Sequence, residues 1–159
     1  MKNQLKEKIR TRMPDSEKPI ESGIIIPGSP IAQKRHRYRR NGKQIISYDP
    51  SSKEKTMVRK TMSYEWANNP MTEPLAVVMT FYCSRPKSQY RSGKYSNILK
   101  EDAPVLKTSK PDVDNYIKFY MDCGNGILWG DDAQVVRIEA WKRYADDKGA
   151  RVEMEVWAI

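Results

Sequence analysis

Histidine and cysteine are almost missing from this chain of 159 residues, which has one histidine, His36, and two cysteines, Cys83 and Cys123. That scarcity excludes zinc fingers, a disulfide scaffold and every two-histidine metal site; it also excludes a Ser-His-Asp triad unless His36 serves it. Long apolar runs are missing too. Nothing approaches the roughly 18 consecutive apolar residues of a membrane span. The start, Met1-Lys2-Asn3-Gln4-Leu5-Lys6-Glu7-Lys8, has neither the apolar run nor the small-residue cleavage site of a secretion signal. The expected location is the cytoplasm, with no membrane partner. The length suits one domain with a real core, not two. Any chemistry must therefore be built from carboxylates, lysine, arginine and hydroxyls.

What the chain has in excess is positive charge, and it is unevenly placed. Lys and Arg number 29 against 20 Asp and Glu, a net charge of +9. Residues 1–60 hold 16 cations against 6 acids, whereas residues 61–159 hold 13 against 14. A basic first third beside a near-neutral remainder is the electrostatic footprint of a protein that meets a polyanion. The densest part is Lys34-Arg35-His36-Arg37-Tyr38-Arg39-Arg40. Arginine suits bidentate phosphate contacts, and Tyr38 can hydrogen-bond a phosphate or stack on a base. The competing reading is a solubilising loop that binds nothing.

Residues 1–22 are charged, contain Pro14 and Pro19, and show no apolar period, so they read as a tail ahead of a domain over 23–159. Gly23-Ile24-Ile25-Ile26 predicts a strand stopped by Pro27-Gly28-Ser29-Pro30. Asn41-Gly42 followed by Gln44-Ile45-Ile46-Ser47-Tyr48 predicts a hairpin, with the basic run on or beside one arm. After a capping sequence at 49–52, a helix is expected over 52–68, with Met57, Thr61, Tyr64 and Ala67 on its apolar face. Residues 75–83 predict a central strand, and 84–111 a long irregular loop, a length that usually serves function. A helix follows from near Asp112 to residues 123–126. Two strands at 135–144 and 150–158, joined by a turn at 146–149, close the chain. The expected fold is α+β: a small single domain with a mixed sheet of about five strands and two main helices. There is no internal repeat.

The chemistry-bearing residues lie near that second helix. Asp112-Val113-Asp114 puts two carboxylates at its start, where Asp112 can cap the helix and the dipole favours Asp114. Asp114, Lys118 and Asp122 then recur at i, i+4 and i+8 on one face. A second acidic pair, Asp131-Asp132, precedes a strand. Clustered carboxylates repel one another unless a cation sits among them, and Mg²⁺ takes oxygen ligands while keeping several waters. Such a site suits metal-assisted phosphodiester hydrolysis, with Lys118 orienting water or stabilising charge. The plainer readings are helix caps and an Asp114–Lys118 ion pair.

Lys110-Pro111-Asp112-Val113-Asp114-Asn115-Tyr116-Ile117-Lys118, with Trp129-Gly130-Asp131-Asp132-Ala133-Gln134-Val135 after it, resembles the signature of the RusA family. These are phage- and prophage-associated Holliday junction resolvases. The upstream Ile26-Pro27-Gly28-Ser29-Pro30 and the basic Lys34-Arg35 and Arg37 are similar to the family's early segment, so the likeness spans about residues 23–158. The resemblance implies a RusA-like, dimeric fold and a homodimer that nicks four-way DNA junctions symmetrically. It implies Mg²⁺, with Mn²⁺ as a substitute, and no organic cofactor. It makes Asp112, Asp114 and Asp132 the metal-binding catalytic acids and Lys118 the catalytic lysine, while Asp131 is a lesser metal candidate. Asn115 would brace the site. Cys123-Gly124 departs from the apolar continuation expected of the helix.

The DNA-binding candidates are Lys34, Arg35, Arg37, Arg39 and Arg40, joined by Arg85, Lys87, Arg91 and Lys94 in the long loop, with Tyr90 and Tyr95 as stacking candidates. Trp141 and Trp157 belong either to a dimer interface or to the core. The leading expectation is a structure-selective endodeoxyribonuclease for branched DNA. The alternative is a non-catalytic branched-DNA or single-stranded-DNA binding protein whose acids are caps and surface charge.

Overall fold

The computed structural model describes residues 22–159, so the tail expected over 1–22 lies outside the described residues except for Ser22. The molecule is built around β4 (Leu75–Cys83), whose run of β-branched and aromatic residues is buried on both faces at nearly every position. β5 (Val135–Tyr144) pairs with it in parallel, and β6 (Arg151–Ala158) pairs antiparallel on its other side. β1 (Ser22–Pro27) adds to β6, giving a mixed four-stranded sheet of order β1-β6-β4-β5. The turn at 146–149 therefore does not join paired neighbours, because β4 lies between β5 and β6. Parallel pairing of β4 with β5 requires a crossover. That crossover contains the long loop and helix α2 (Val113–Gly124), which brings the acidic helix onto the sheet.

Helix α1 (Ser52–Glu65) and α2 pack on one face of the sheet. Val58, Met62 and Trp66 from the first meet Tyr116, Phe119, Tyr120 and Cys123 from the second, over Ile24, Leu75, Val77, Met79, Phe81, Val152 and Met154. Period-2 alternation in β6 points Val152, Met154 and Val156 into this core, as the pattern predicts. The apolar face expected for α1 is displaced by one residue. Met57 and Tyr64 are 70% and 87% exposed, and the stripe that packs is Val58, Met62 and Trp66. The helix also ends earlier than residue 68, with Trp66 as its C-cap.

The opposite face of the sheet carries no helix. Trp141 and Trp157 both lie on it: Trp141 is 38% exposed and donates its indole N–H to Glu139. Arg151 stacks over Tyr82 on the same face, 3.7 Å from the ring centroid. The two cysteines are free and buried, Cys83 in contact with the Tyr116 hydroxyl at 3.6 Å.

A second sheet stands apart from the first. β2 (Arg37–Asn41) and β3 (Gln44–Tyr48) form a two-stranded antiparallel ribbon, exposed along its whole length. Its turn is Gly42-Lys43 rather than Asn41-Gly42. Positive φ (60°) occurs only at Gly42, the first central position, which is the pattern of a type II′ turn.

Candidate active site

The start of α2 is set by its approach. The Lys110-Pro111 peptide is cis, and the backbone there is gathered by two lysines. Lys107 Nζ donates to the carbonyls of Ser109 and Lys110, and Lys142 Nζ on β5 donates to the carbonyls of Ser109 and Pro111 at 2.7 Å each. Asp112 follows as the N-cap residue, with extended φ and ψ of −72° and 151°. Its carboxylate makes no capping hydrogen bond, so the role that position offers is not taken up. Tyr116, Phe119, Tyr120 and Cys123 are buried at helical spacing and turn the opposite side of α2 to solvent. Asp114 and Lys118 are on that exposed side. Among the described residues, Asp114 is approached only by the Asn115 side-chain amide at 3.4 Å, a long contact, and Lys118 forms no ion pair with it.

Asp122 does not continue the acidic face as a free carboxylate. It bonds Lys55 Nζ of α1 at 2.8 Å, and the same ammonium bonds Asp49 at 2.8 Å. Burial alone would raise the Asp49 carboxyl, but the Lys55 ammonium, the Ser51 N–H and the Gln33 amide outweigh it and hold it well below the usual carboxylate range. For Lys55, burial pulls downward, and the bonds to Asp122 and Asp49 more than offset it and raise the ammonium's pKa. These contacts lie between residues as far as 67 positions apart, and no local spacing announces them.

The second acidic element is a short 3₁₀ turn, Asp132–Gln134, ahead of β5 and packed beside α2. Two motif residues, Trp129 and Gln134, explain its placement, together with Gly124. Trp129 is fully buried, its indole N–H donates to Asn125 Oδ1 at 2.9 Å, and its ring lies against Gly124 so closely that a Cβ there would sit 2.4 Å from Cζ2. Glycine at 124, unexpected in a continuing helix, is thus what admits the tryptophan. Gln134 straps the turn down, donating to the carbonyls of Met71 and Glu73 and accepting from the Asp131 N–H.

The two adjacent acids have different fates. Asp131 Oδ1 accepts from the Ala133 N–H at 2.8 Å, completing a capping box with Gln134. Asp132 is half-buried and makes no side-chain hydrogen bond or ion pair with a described residue. Asp112, Asp114 and Asp132 are thus left with carboxylate oxygens to offer, while Asp131 is engaged in holding the turn. Among the described residues, no three acidic, histidine or cysteine side chains are grouped closely enough to hold a metal ion. The oxygens that Asp112, Asp114 and Asp132 offer are of the hard type that Mg²⁺ takes, an ion usually held by one or two carboxylates and completed by waters and substrate phosphate oxygens.

The basic candidates separate in the same way. Lys34 is ion-paired with Glu54, whereas the side chains of Arg35, Arg37, Arg39 and Arg40 make no hydrogen bond or ion pair with a described residue. In the long loop, Arg85 is committed to the fold. It donates to the carbonyls of Ala145 and Pro104 and to Gln89, and its guanidinium lies over Tyr144, 5.3 Å from the centroid. It is therefore not a free phosphate ligand, contrary to the expectation from composition. Arg91 is paired with Glu101. Lys87 and Lys94 are exposed, Lys94 lying over the Tyr95 ring, and Tyr90 is half-buried in a bridge to Leu99. The loop is thus more structured than its composition suggests.

Two comparisons bear on this arrangement. The family described as Endodeoxyribonuclease RusA matches residues 27–156. The chain is also similar to "Uncharacterized protein YqaN" of Bacillus subtilis (strain 168), 35% identical over 137 residues that cover 84% of this chain and 93% of that protein.

Proposed function

The chain belongs to the RusA family of endodeoxyribonucleases, enzymes that hydrolyse DNA at branched junctions, and we propose that it resolves four-way junctions as a Mg²⁺-dependent homodimer in the cytoplasm. The domain doing this work is residues 23–159. Asp112, Asp114 and Asp132 hold the metal, Mn²⁺ serving as a substitute, and Lys118 is the catalytic lysine. The observation that carries the assignment is the contrast between acids: Asp112 sits at a helix cap without capping, and Asp132 is free while Asp131 caps its own turn.

When bound, the metal supplies an acidified water as nucleophile and positive charge for the departing 3′ oxygen. This chain's residues do the rest. Lys118, one turn beyond Asp114, places an ammonium where negative charge accumulates on the phosphate. Asn115 braces Asp114, while Lys107 and Lys142 fix the backbone that delivers Asp112. Trp129 and Gln134 fix Asp132 against α2. Arg35, Arg37, Arg39 and Arg40 bind phosphates of the arms, with Lys34 at the root of the ribbon.

The test is cleavage of an immobile four-way junction, beside a matched duplex, with Mg²⁺ or EDTA. Asp112→Asn and Asp132→Asn are expected to abolish cleavage while junction binding persists. Asp131→Asn, which keeps a capping oxygen, is expected to retain most activity. Cleavage surviving both of the first two changes sinks the site assignment, and the absence of any metal-dependent product leaves a DNA-binding protein.

A further inference from the structure

The β2–β3 ribbon has a property that phosphate binding does not explain. A two-stranded ribbon is marginal in water by itself, yet neither of its faces is covered by the rest of the described chain. Its roots, by contrast, are pinned. Gln33 N–H donates to the Asn115 carbonyl at 2.8 Å, Lys34 N–H to Ser51 Oγ at 3.1 Å, and the Gln33 amide to Asp49 at 3.1 Å. A bare ribbon is thus held in fixed relation to α2, the helix that carries Asp112 and Asp114.

The two faces differ in a way set by the register. Arg37, Arg39, Ile46 and Tyr48 share one face, while Tyr38, Arg40, Ile45 and Ser47 share the other. Tyr38 and Ile45 are both 73% exposed and sit in diagonal positions, close enough for an aromatic and a branched side chain to form one apolar step. Between Gln33 and Asp49 the chain has six Lys and Arg and no acid. That charge selects a polyanion as the occupant. The exposed tyrosine and isoleucine then favour something flat and apolar within the polyanion, and in nucleic acid an unstacked base face is the largest such surface.

We propose that the Tyr38–Ile45 face of the ribbon enters the opened branch point and stacks on unpaired or unstacked bases, while Arg37 and Arg39 on the opposite face track a phosphate backbone. A continuous duplex hides its base faces, so this contact discriminates branched from linear DNA. The inference rests on branched DNA being the substrate and adds where the branch is read. Stacking of one base on an aromatic side chain corresponds to about a tenfold or greater gain in affinity.

The experiment uses the full chain in EDTA and titrates three probes: a four-way junction with 2-aminopurine at the branch point, a matched duplex, and a single strand. Tyr38→Ala/Ile45→Ala is expected to lower junction affinity at least about tenfold, leave duplex affinity unchanged and remove the 2-aminopurine response. Tyr38→Trp is expected to keep the selectivity, and Tyr38→Leu, which retains bulk without a ring, to lose it. Arg37→Gln/Arg39→Gln is expected to weaken junction and duplex together and to reduce the salt slope by about 2.

Unchanged junction-over-duplex selectivity in Tyr38→Ala/Ile45→Ala overturns the proposal. So does a proportional loss on both DNAs, or a wild-type protein with no preference for the junction. Selective binding that depends on Tyr38 but yields no Mg²⁺-dependent product would overturn the nuclease assignment and leave this inference standing. Junction cleavage with selectivity indifferent to Tyr38 would do the reverse.

Discussion

At the scale of single residues, the site depends on a glycine that does no chemistry. Gly124 ends α2 beneath the Trp129 ring, where an added methyl would lie 2.4 Å from Cζ2. The indole is fully buried and tied to Asn125, so it has nowhere to retreat. Gly124→Ala is therefore expected to destabilise the fold by about 1–3 kcal/mol, the usual cost of overpacking a filled core. Because Trp129 leads directly into Gly130-Asp131-Asp132, cleavage should also slow. Thermal unfolding measures the first effect and single-turnover junction cleavage the second. A variant with wild-type melting temperature would mean that the indole is free to shift.

At the scale of elements, Lys55 is the joint between α1, α2 and the root of the ribbon. It bridges Asp49 and Asp122, and Asp49 in turn accepts from Ser51 and Gln33. The sign of the pH effect follows from the depressed Asp49 carboxyl. Its stabilising contribution is fully present above the unfolded value of about 3.9 and is lost as pH falls through the lower folded value. Lys55→Met is expected to cost about 2 kcal/mol at pH 7, less than a fully buried pair because water still reaches the joint. Denaturant unfolding of wild type and variant should show that gap narrowing as the pH is lowered below about 4. A gap that stays constant down to pH 2 would mean that Asp49 and Lys55 are not coupled.

At the scale of the whole molecule, one subunit carries one set of acids, and two symmetric nicks in a junction need two sets related by a two-fold axis. The helix-free face of the sheet leaves Trp141 and Ile25 exposed, and the proposed homodimer is expected to use it. Sedimentation equilibrium is expected to give twice the 18.5 kDa chain mass. On a junction with one uncleavable strand, the opposite strand should still be cut. A protein that stays at the mass of one chain at micromolar concentration and cuts only one strand would show that one subunit acts alone.

Much of this was legible in the chain itself because the relevant signals are local. Alternation at 152–158 sets which β6 residues are inside, and the apolar run at 75–83 marks the central strand. The six cations without an acid between Gln33 and Asp49 concentrate positive charge on and beside the ribbon. The acids of the two motifs and their spacing named the candidate site. Only the tertiary structure decided among choices that are locally equivalent. Met57 and Val58 both start plausible stripes on α1, and packing on the sheet selected Val58, Met62 and Trp66. Asp131 and Asp132 are the same residue type side by side, and backbone geometry made one a cap and left the other open. Asp122 shares a helix face with Asp114, yet a lysine 67 positions away took it. Each of these outcomes depends on what lies across the fold, and short-range periodicity carries no information about that.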